Sequence, residues 1–275
     1  MSLRAFGDRL GLVPWIVITA AIIAISVGFL RRSVAFSQTD GVLVGDPVVL
    51  ELFTSQGCSD CPPADALLSE LGSSTKGVIP LAYHVDYWNH LGWSDSFSSR
   101  DFSQRQSDYA RAMNLAEQYT PQMVVGGASQ FVGSDAGSIA RAINAAHSTP
   151  APGHVNLHTS LDGKSPRSLQ IKLKAQLDAA STSGSYVVMV AVYENGLITK
   201  IGAGENGGRE ITYDYTVRKL VPAFELEGAQ AVEKFVSINL DPSWSANHLG
   251  AAAFIQNTSS LKIIGGASQY PIVRD

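Results

Sequence analysis

The sequence predicts an α/β domain followed by an all-β, sandwich-like domain, with an N-terminal transmembrane or signal helix ahead of both. Three observations carry this reading. An uncharged apolar run lies near the N-terminus, strand-like and helical stretches alternate as far as residue 147, and strand-like patterns alone follow a Pro/Ala/Gly linker. A chain of 275 residues suits about two domains of ordinary size.

Composition excludes several functions. Hydrophobic residues make up 45% and charged residues 16%, too apolar for a disordered chain. Residues 41–150 carry five basic and eleven acidic side chains, and residues 151–275 carry eleven of each. Without a strongly basic segment, no nucleic-acid partner held through phosphate contacts is expected. The two cysteines cannot build a disulfide-rich scaffold, but they are close enough to form one local pair.

Residues 1–40 read as an anchor or signal segment. The run 13–30, VPWIVITAAIIAISVGFL, has no charge and is flanked by Arg4, Arg9, Arg31 and Arg32. Its length is at the lower limit for a membrane span and slightly long for a signal-peptide core. Ser33-Val34-Ala35 is compatible with cleavage, but the arginines before it favour an uncleaved anchor. Either form predicts that residues 41–275 lie in the cell envelope outside the cytoplasm, membrane-anchored or released to the periplasm.

Residues 41–150 form the expected α/β domain. Pro47–Phe53 and Val78–Val85 read as strands, with a helix at Pro62–Leu71 between them. A helix over Arg100–Leu115, short strands at Met123–Val125 and Gln130–Val132, and a helix over Ser138–Ala146 complete it. Ser148–Gly153 reads as a linker. In residues 151–275 Leu169, Ile171 and Leu173 alternate with polar positions, and Asn195-Gly196 signals a hairpin. About seven or eight strands of this kind suit a sandwich.

The chemistry centres on Cys58-Ser59-Asp60-Cys61-Pro62-Pro63, which joins the first strand to the first helix through Gly57. Adjacent prolines suit a first helical turn, whose N–H groups have no intrahelical partner. This places Cys58 at an exposed helix N-terminus, where unpaired N–H groups and the helix dipole favour a thiolate. Cys61, one turn inward, can attack a mixed disulfide on Cys58. Asp60 opposes the thiolate. A structural disulfide or half of a metal site is the plainer alternative.

About sixty residues later Tyr119-Thr120-Pro121-Gln122-Met123-Val124-Val125 sets a Thr-Pro step before a short apolar strand. This arrangement resembles the thioredoxin fold. The resemblance implies that Pro121 is cis and faces the dithiol, and that the Thr120 backbone pairs with an extended substrate. It also implies that Glu51, an acid in an otherwise apolar strand, accepts a proton from the buried cysteine. A solvent-facing Glu51 on an edge strand is the alternative. The fold class expected for residues 41–150 is therefore α/β thioredoxin-like.

Four blocks in order, LELFTSQGCSDCPPAD (50–65), HVDYW (84–88), YTPQMVV (119–125) and GENGGR (204–209), resemble the bacterial exported proteins grouped as the domain of unknown function 1223 family. That resemblance covers nearly everything from residue 46 onward. It implies a thioredoxin-like domain with an appended β-domain and no particular substrate.

Other motifs carry less weight. His84, Asp86 and His90 surround the end of the second strand, and with the cysteines they would suit zinc or copper. A polar network beside the dithiol is preferred, with Tyr87, Trp88 and Trp93 as a contact platform, so no metal or other cofactor is expected. Gly202-Ala203-Gly204-Glu205-Asn206-Gly207 matches a dinucleotide fingerprint but leads into the strand-like run Ile211–Tyr215, so a glycine-rich turn is expected. No Gly-x-Ser-x-Gly elbow is present to support hydrolase chemistry. The expected activity is thiol–disulfide exchange with protein thiols or disulfides. Cys58, Cys61, Pro121 and Glu51 would form the catalytic set, with Thr120, Tyr87 and Trp88 contacting substrate. The alternative is a non-catalytic periplasmic binding module or a copper or zinc carrier.

Overall fold

The computed structural model describes residues 38–39, 42–43, 46–162, 165–179 and 184–274. The apolar run 13–30, expected to form the transmembrane or signal helix, lies outside them. Among the described residues no helix is long and apolar enough to cross a membrane.

Two short strands, β1 (Gln38–Thr39) and β2 (Val42–Leu43), pair with each other. They are followed by β3 (Val48–Thr54), α1 (Pro62–Ser74), β4 (Val78–His84) and α2 (Arg100–Ala112). Next come β5 (Gln122–Val125), β6 (Ser129–Val132) and α3 (Ala136–His147). Beyond the linker lie β7 (Gly153–Asp162), β8 (Ser165–Leu177), β9 (Tyr186–Glu194), β10 (Leu197–Lys200) and β11 (Glu210–Tyr213). The remaining strands are β12 (Thr216–Leu226), β13 (Val232–Asn239), β14 (Leu249–Asn257), β15 (Ile263–Gln269) and β16 (Val273–Arg274).

Strand β3 is buried along its whole length, as its mostly apolar sequence favours. Because successive side chains alternate between faces, it serves two cores. Val48, Leu50 and Leu52 pack with Ala64, Leu68, Ile139 and Ile143 of α1 and α3. Val49 and Phe53 pack on the other side with Phe102 and Tyr109 of α2.

β3 runs parallel to β4 and antiparallel to β5, and β6 closes that edge. The other edge of β4 is taken by β12 from the far end of the sequence. The two run parallel, with Thr216 opposite Ala82, and the Ala82 amide donates to the Tyr215 carbonyl at 2.8 Å. β9, β14, β15, β2 and β1 extend the array into one ten-stranded sheet, ordered β1-β2-β15-β14-β9-β12-β4-β3-β5-β6. A second sheet, β13-β8-β7-β16, packs Leu157, Ile171 and Leu173 against Val188, Val190 and Ile255 of the first. The backbones meet so closely that a Cβ on Gly265 would lie 1.9 Å from the Gly153 carbonyl oxygen.

This arrangement corrects the expected fold class of a thioredoxin-like α/β domain followed by an all-β sandwich. The described chain is mostly β, with three α-helices, and its main element is a large mixed sheet. Strands from both sides of the linker hydrogen-bond into that sheet. The physical reason is the open hydrogen-bonding edge of β4, which is completed by a strand more than a hundred residues downstream, and no local periodicity encodes that pairing.

Candidate active site

From the end of β3 the chain turns through Ser55–Cys61 into α1. The Cys58 amide donates to the Ser55 carbonyl and the Cys61 amide to the Cys58 carbonyl, each at 3.2 Å. Cys61 already has helical dihedrals (φ −75°, ψ −38°), and Pro62 opens the helix. Both thiols are free. Cys58 is 1% exposed, in contrast to the exposed position expected for it. It lies in the turn before α1, and a loop from the β10–β11 hairpin packs onto that turn.

That loop, residues 201–209, is built from the GENGGR block. The Asn206 side-chain amide donates to the Gln56 carbonyl at 3.0 Å and to the Cys58 carbonyl at 2.8 Å. The Glu205 carboxylate accepts from the Ser59 amide at 2.9 Å. The Gln56 side chain donates to Thr199 at 3.2 Å and accepts from Trp93 Nε1 at 2.8 Å. The cysteine turn is therefore gripped by groups remote in sequence.

The two thiols differ chemically. A hydrogen bond from Cys61 lowers the Cys58 pKa most strongly; burial opposes this, and Thr120 and the Asp60 and Cys61 backbone assist. Burial pushes the Cys61 thiol far upward, as do its bond to Cys58 and the Asp65 carboxylate. Cys58 is thus the thiolate-prone member and Cys61 the thiol kept protonated.

The Thr120–Pro121 bond is cis, and Cys58 Sγ lies 3.7 Å from the Thr120 carbonyl oxygen. Trp88 Nε1 donates to Thr120 Oγ1 at 2.8 Å. The structure thus brings Cys58, Cys61, Thr120, Pro121 and Trp88 together. Tyr87 is half-buried, and its hydroxyl donates to Gln106 Oε1 at 3.1 Å; the Gln106 amide in turn holds the Tyr119 carbonyl at 2.8 Å.

Glu51 does not join the dithiol. It shares the pleat face of Val49 and Phe53, whereas α1 covers the opposite face. Fully buried, it pairs with Arg105 at 2.7 Å and accepts a short hydrogen bond from Tyr109. Arg105 also donates to Gln256 of β14 at 3.1 Å. Glu51 is therefore neither solvent-facing nor a neighbour of Cys61; it belongs to a buried polar tie between α2, β3 and β14.

The acid whose charge acts on the buried thiol is Asp65, which sequence reasoning missed. Burial raises its pKa to about 6, moderated by the charge of His84 and by the Thr54 hydroxyl. His84 Nδ1 contacts Asp95 Oδ2 at 2.7 Å with both side chains buried. Burial disfavours charge on His84, but the Asp95 and Asp65 carboxylates outweigh it and raise its pKa. The Asp95 carboxylate is held by the Gln56 and Phe97 amides, each at 2.9 Å. The usable signal for Asp65 was its spacing, one helical turn after Cys61. Asp86 instead meets Ser103, and His90 the Tyr87 carbonyl at 2.7 Å. Among the described residues no three of His, Cys, Asp and Glu are placed to hold a metal ion.

A cavity of about 540 Å³ lies elsewhere, lined by Val48, Val125, Ala142, Ala146 and Ile264. It adjoins the first residues of β3, and the dithiol follows the last. At about 3.3 Å per strand residue the two are separated by most of the strand's length.

Fold and site together define a mostly-β protein with a buried, chemically asymmetric Cys-x-x-Cys dithiol beside a cis-proline. The chain belongs to the family described as protein of unknown function (DUF1223), whose model matches residues 49–256. Among solved structures it is similar to the protein AGR_C_4864 from Agrobacterium tumefaciens, with 26% identity and a TM-score of 0.64 over 82% of this chain and 94% of that one. HBP35 of Porphyromonas gingivalis shares the fold, with 16% identity and a TM-score of 0.63 over 82% and 75% of the respective chains. Comparison with the curated proteins finds no match.

Proposed function

We propose that this protein is a thiol–disulfide oxidoreductase acting on protein thiols or disulfides in the cell envelope, tethered or exported by its N-terminal apolar run. The observation that supports this reading is the opposition between the two thiols, Cys58 lowered and Cys61 raised, beside the Thr120 carbonyl. The Cys58 thiolate attacks one sulfur of a substrate disulfide, and the other leaves as a thiolate. Cys61 then attacks Cys58 Sγ, forming the Cys58–Cys61 disulfide and releasing the second substrate thiolate. Two electrons pass from the dithiol to the substrate, and the reverse sequence oxidises a dithiol substrate.

The test is reduction of insulin or of a small mixed disulfide by the reduced protein. Activity is expected to vanish in Cys58→Ala. Cys61→Ala is expected to trap a covalent mixed disulfide at Cys58. Equal activity in Cys58→Ala and wild type would overturn the reading.

A further inference from the structure

With Glu51 committed to Arg105, the proton of buried Cys61 needs another acceptor. The Asp65 amide donates to the Cys61 carbonyl at 3.0 Å, so the two side chains stand one helical turn apart on the same face of α1. Both Asp65 carboxylate oxygens are buried without a hydrogen bond of good geometry, and so are Thr54 Oγ1 and His84 Nε2. Buried polar atoms are normally paired. Such a group of unpaired ones beside a reactive thiol points to a role in its chemistry. The charged and titratable groups facing Asp65 are Cys61 on its own helix, His84 on β4, Asp95 in the following loop and Tyr213 on β11.

We infer that Asp65 is the base that takes the Cys61 proton during resolution, and that His84, held by Asp95, favours the ionised form of Asp65 for this task. The inference rests on the thiol–disulfide reading. Before the step Cys61 is a thiol and Asp65 a carboxylate beside the imidazolium. The proton passes from Cys61 Sγ to Asp65, Cys61 Sγ bonds to Cys58 Sγ, and the substrate sulfur leaves with the electron pair of the broken S–S bond. Asp65 then returns its proton to the departing thiolate or to water. His84 favours the ionised carboxylate against burial, and Asp95 holds the ring.

The test uses the full reduced chain and dithiobis-nitrobenzoate, which releases one coloured thiolate when Cys58 attacks and a second when Cys61 resolves. Wild-type resolution is expected to rise with pH as Asp65 ionises around pH 6 and then level off. Asp65→Asn should leave the first release unchanged and slow the second by about a hundredfold, the low end for a general base, with its plateau replaced by a steady rise. His84→Gln should move the wild-type profile to higher pH, because the cation that lowers the Asp65 pKa is lost. This second variant keeps the test open if Asp65→Asn does not fold. Superposable second-phase profiles for wild type and either folded variant would overturn the inference. A missing first release, or one that persists in Cys58→Ala, would instead overturn the thiol–disulfide reading beneath it.

Discussion

Asn206 holds the Cys58 carbonyl at 2.8 Å across 148 residues of chain. The same amide nitrogen reaches the Gln56 carbonyl at 3.0 Å, so a single buried side chain ties together two carbonyls of the turn carrying Cys58.

Asn206→Ala leaves those two carbonyls without their buried donor. A loss of about 1–3 kcal/mol is expected, together with faster alkylation of Cys58 as the turn loosens. Urea denaturation and timed labelling check both. An unchanged midpoint with unchanged labelling would remove the loop from any account of the site.

Reactivity of the pair is expected to be sharply unequal. Near neutral pH iodoacetamide should modify Cys58 well before Cys61, because only Cys58 is held toward the thiolate. With Cys58 only 1% exposed, its rate should still rise in mild denaturant, before global unfolding. Peptide mapping after short exposure decides the matter, and equal labelling would contradict the assigned roles.

The Glu51–Arg105 pair is expected to matter for stability and not for the thiols. Arg105→Met strands a buried carboxylate, which costs about 3–5 kcal/mol. The double variant Glu51→Gln, Arg105→Met removes both charges and should recover part of that loss. In the double variant the labelling ratio of Cys58 to Cys61 should match wild type, since Glu51 lies on the far pleat face. A changed ratio would place Glu51 back at the dithiol.

Asp65 makes stability depend on pH. Its folded pKa of about 6 lies above the unfolded value, near 3.9 for an ordinary aspartate. Between these values the folded state binds more protons, so this group's contribution falls as pH rises from about 4 to about 6. The change is at most about 3 kcal/mol. Asp65→Asn should flatten that slope, as measured by urea unfolding across the window. Parallel curves for wild type and variant would disprove it.

Much of the local structure was legible in the sequence. The helix start at Pro62, the buried run of β3 and the short strands around Gly126-Gly127 all lie close to where propensity and punctuation place them. Strand order was not legible, because Thr216 pairing with Ala82 depends on sheet edges that meet only in three dimensions. Glu51 was misplaced for a related reason. Its alternation within β3 was readable, but which helix covers which face was not. Asn206 stood inside a glycine-rich block whose value as a turn hid its value as a donor, and Asp65 resembled any first-turn helix acid.

The segment from Asn206 to Thr216 both grips the cysteine turn and covers the open edge of β4. Synthesis proceeds from the N-terminus, so both thiols leave the ribosome long before that segment exists. During this interval the cysteine turn stands without the Asn206 amide that later holds its carbonyls. That grip is acquired late, when the far half of the protein arrives, and a chain cut short before residue 206 would carry the motif with its turn untied.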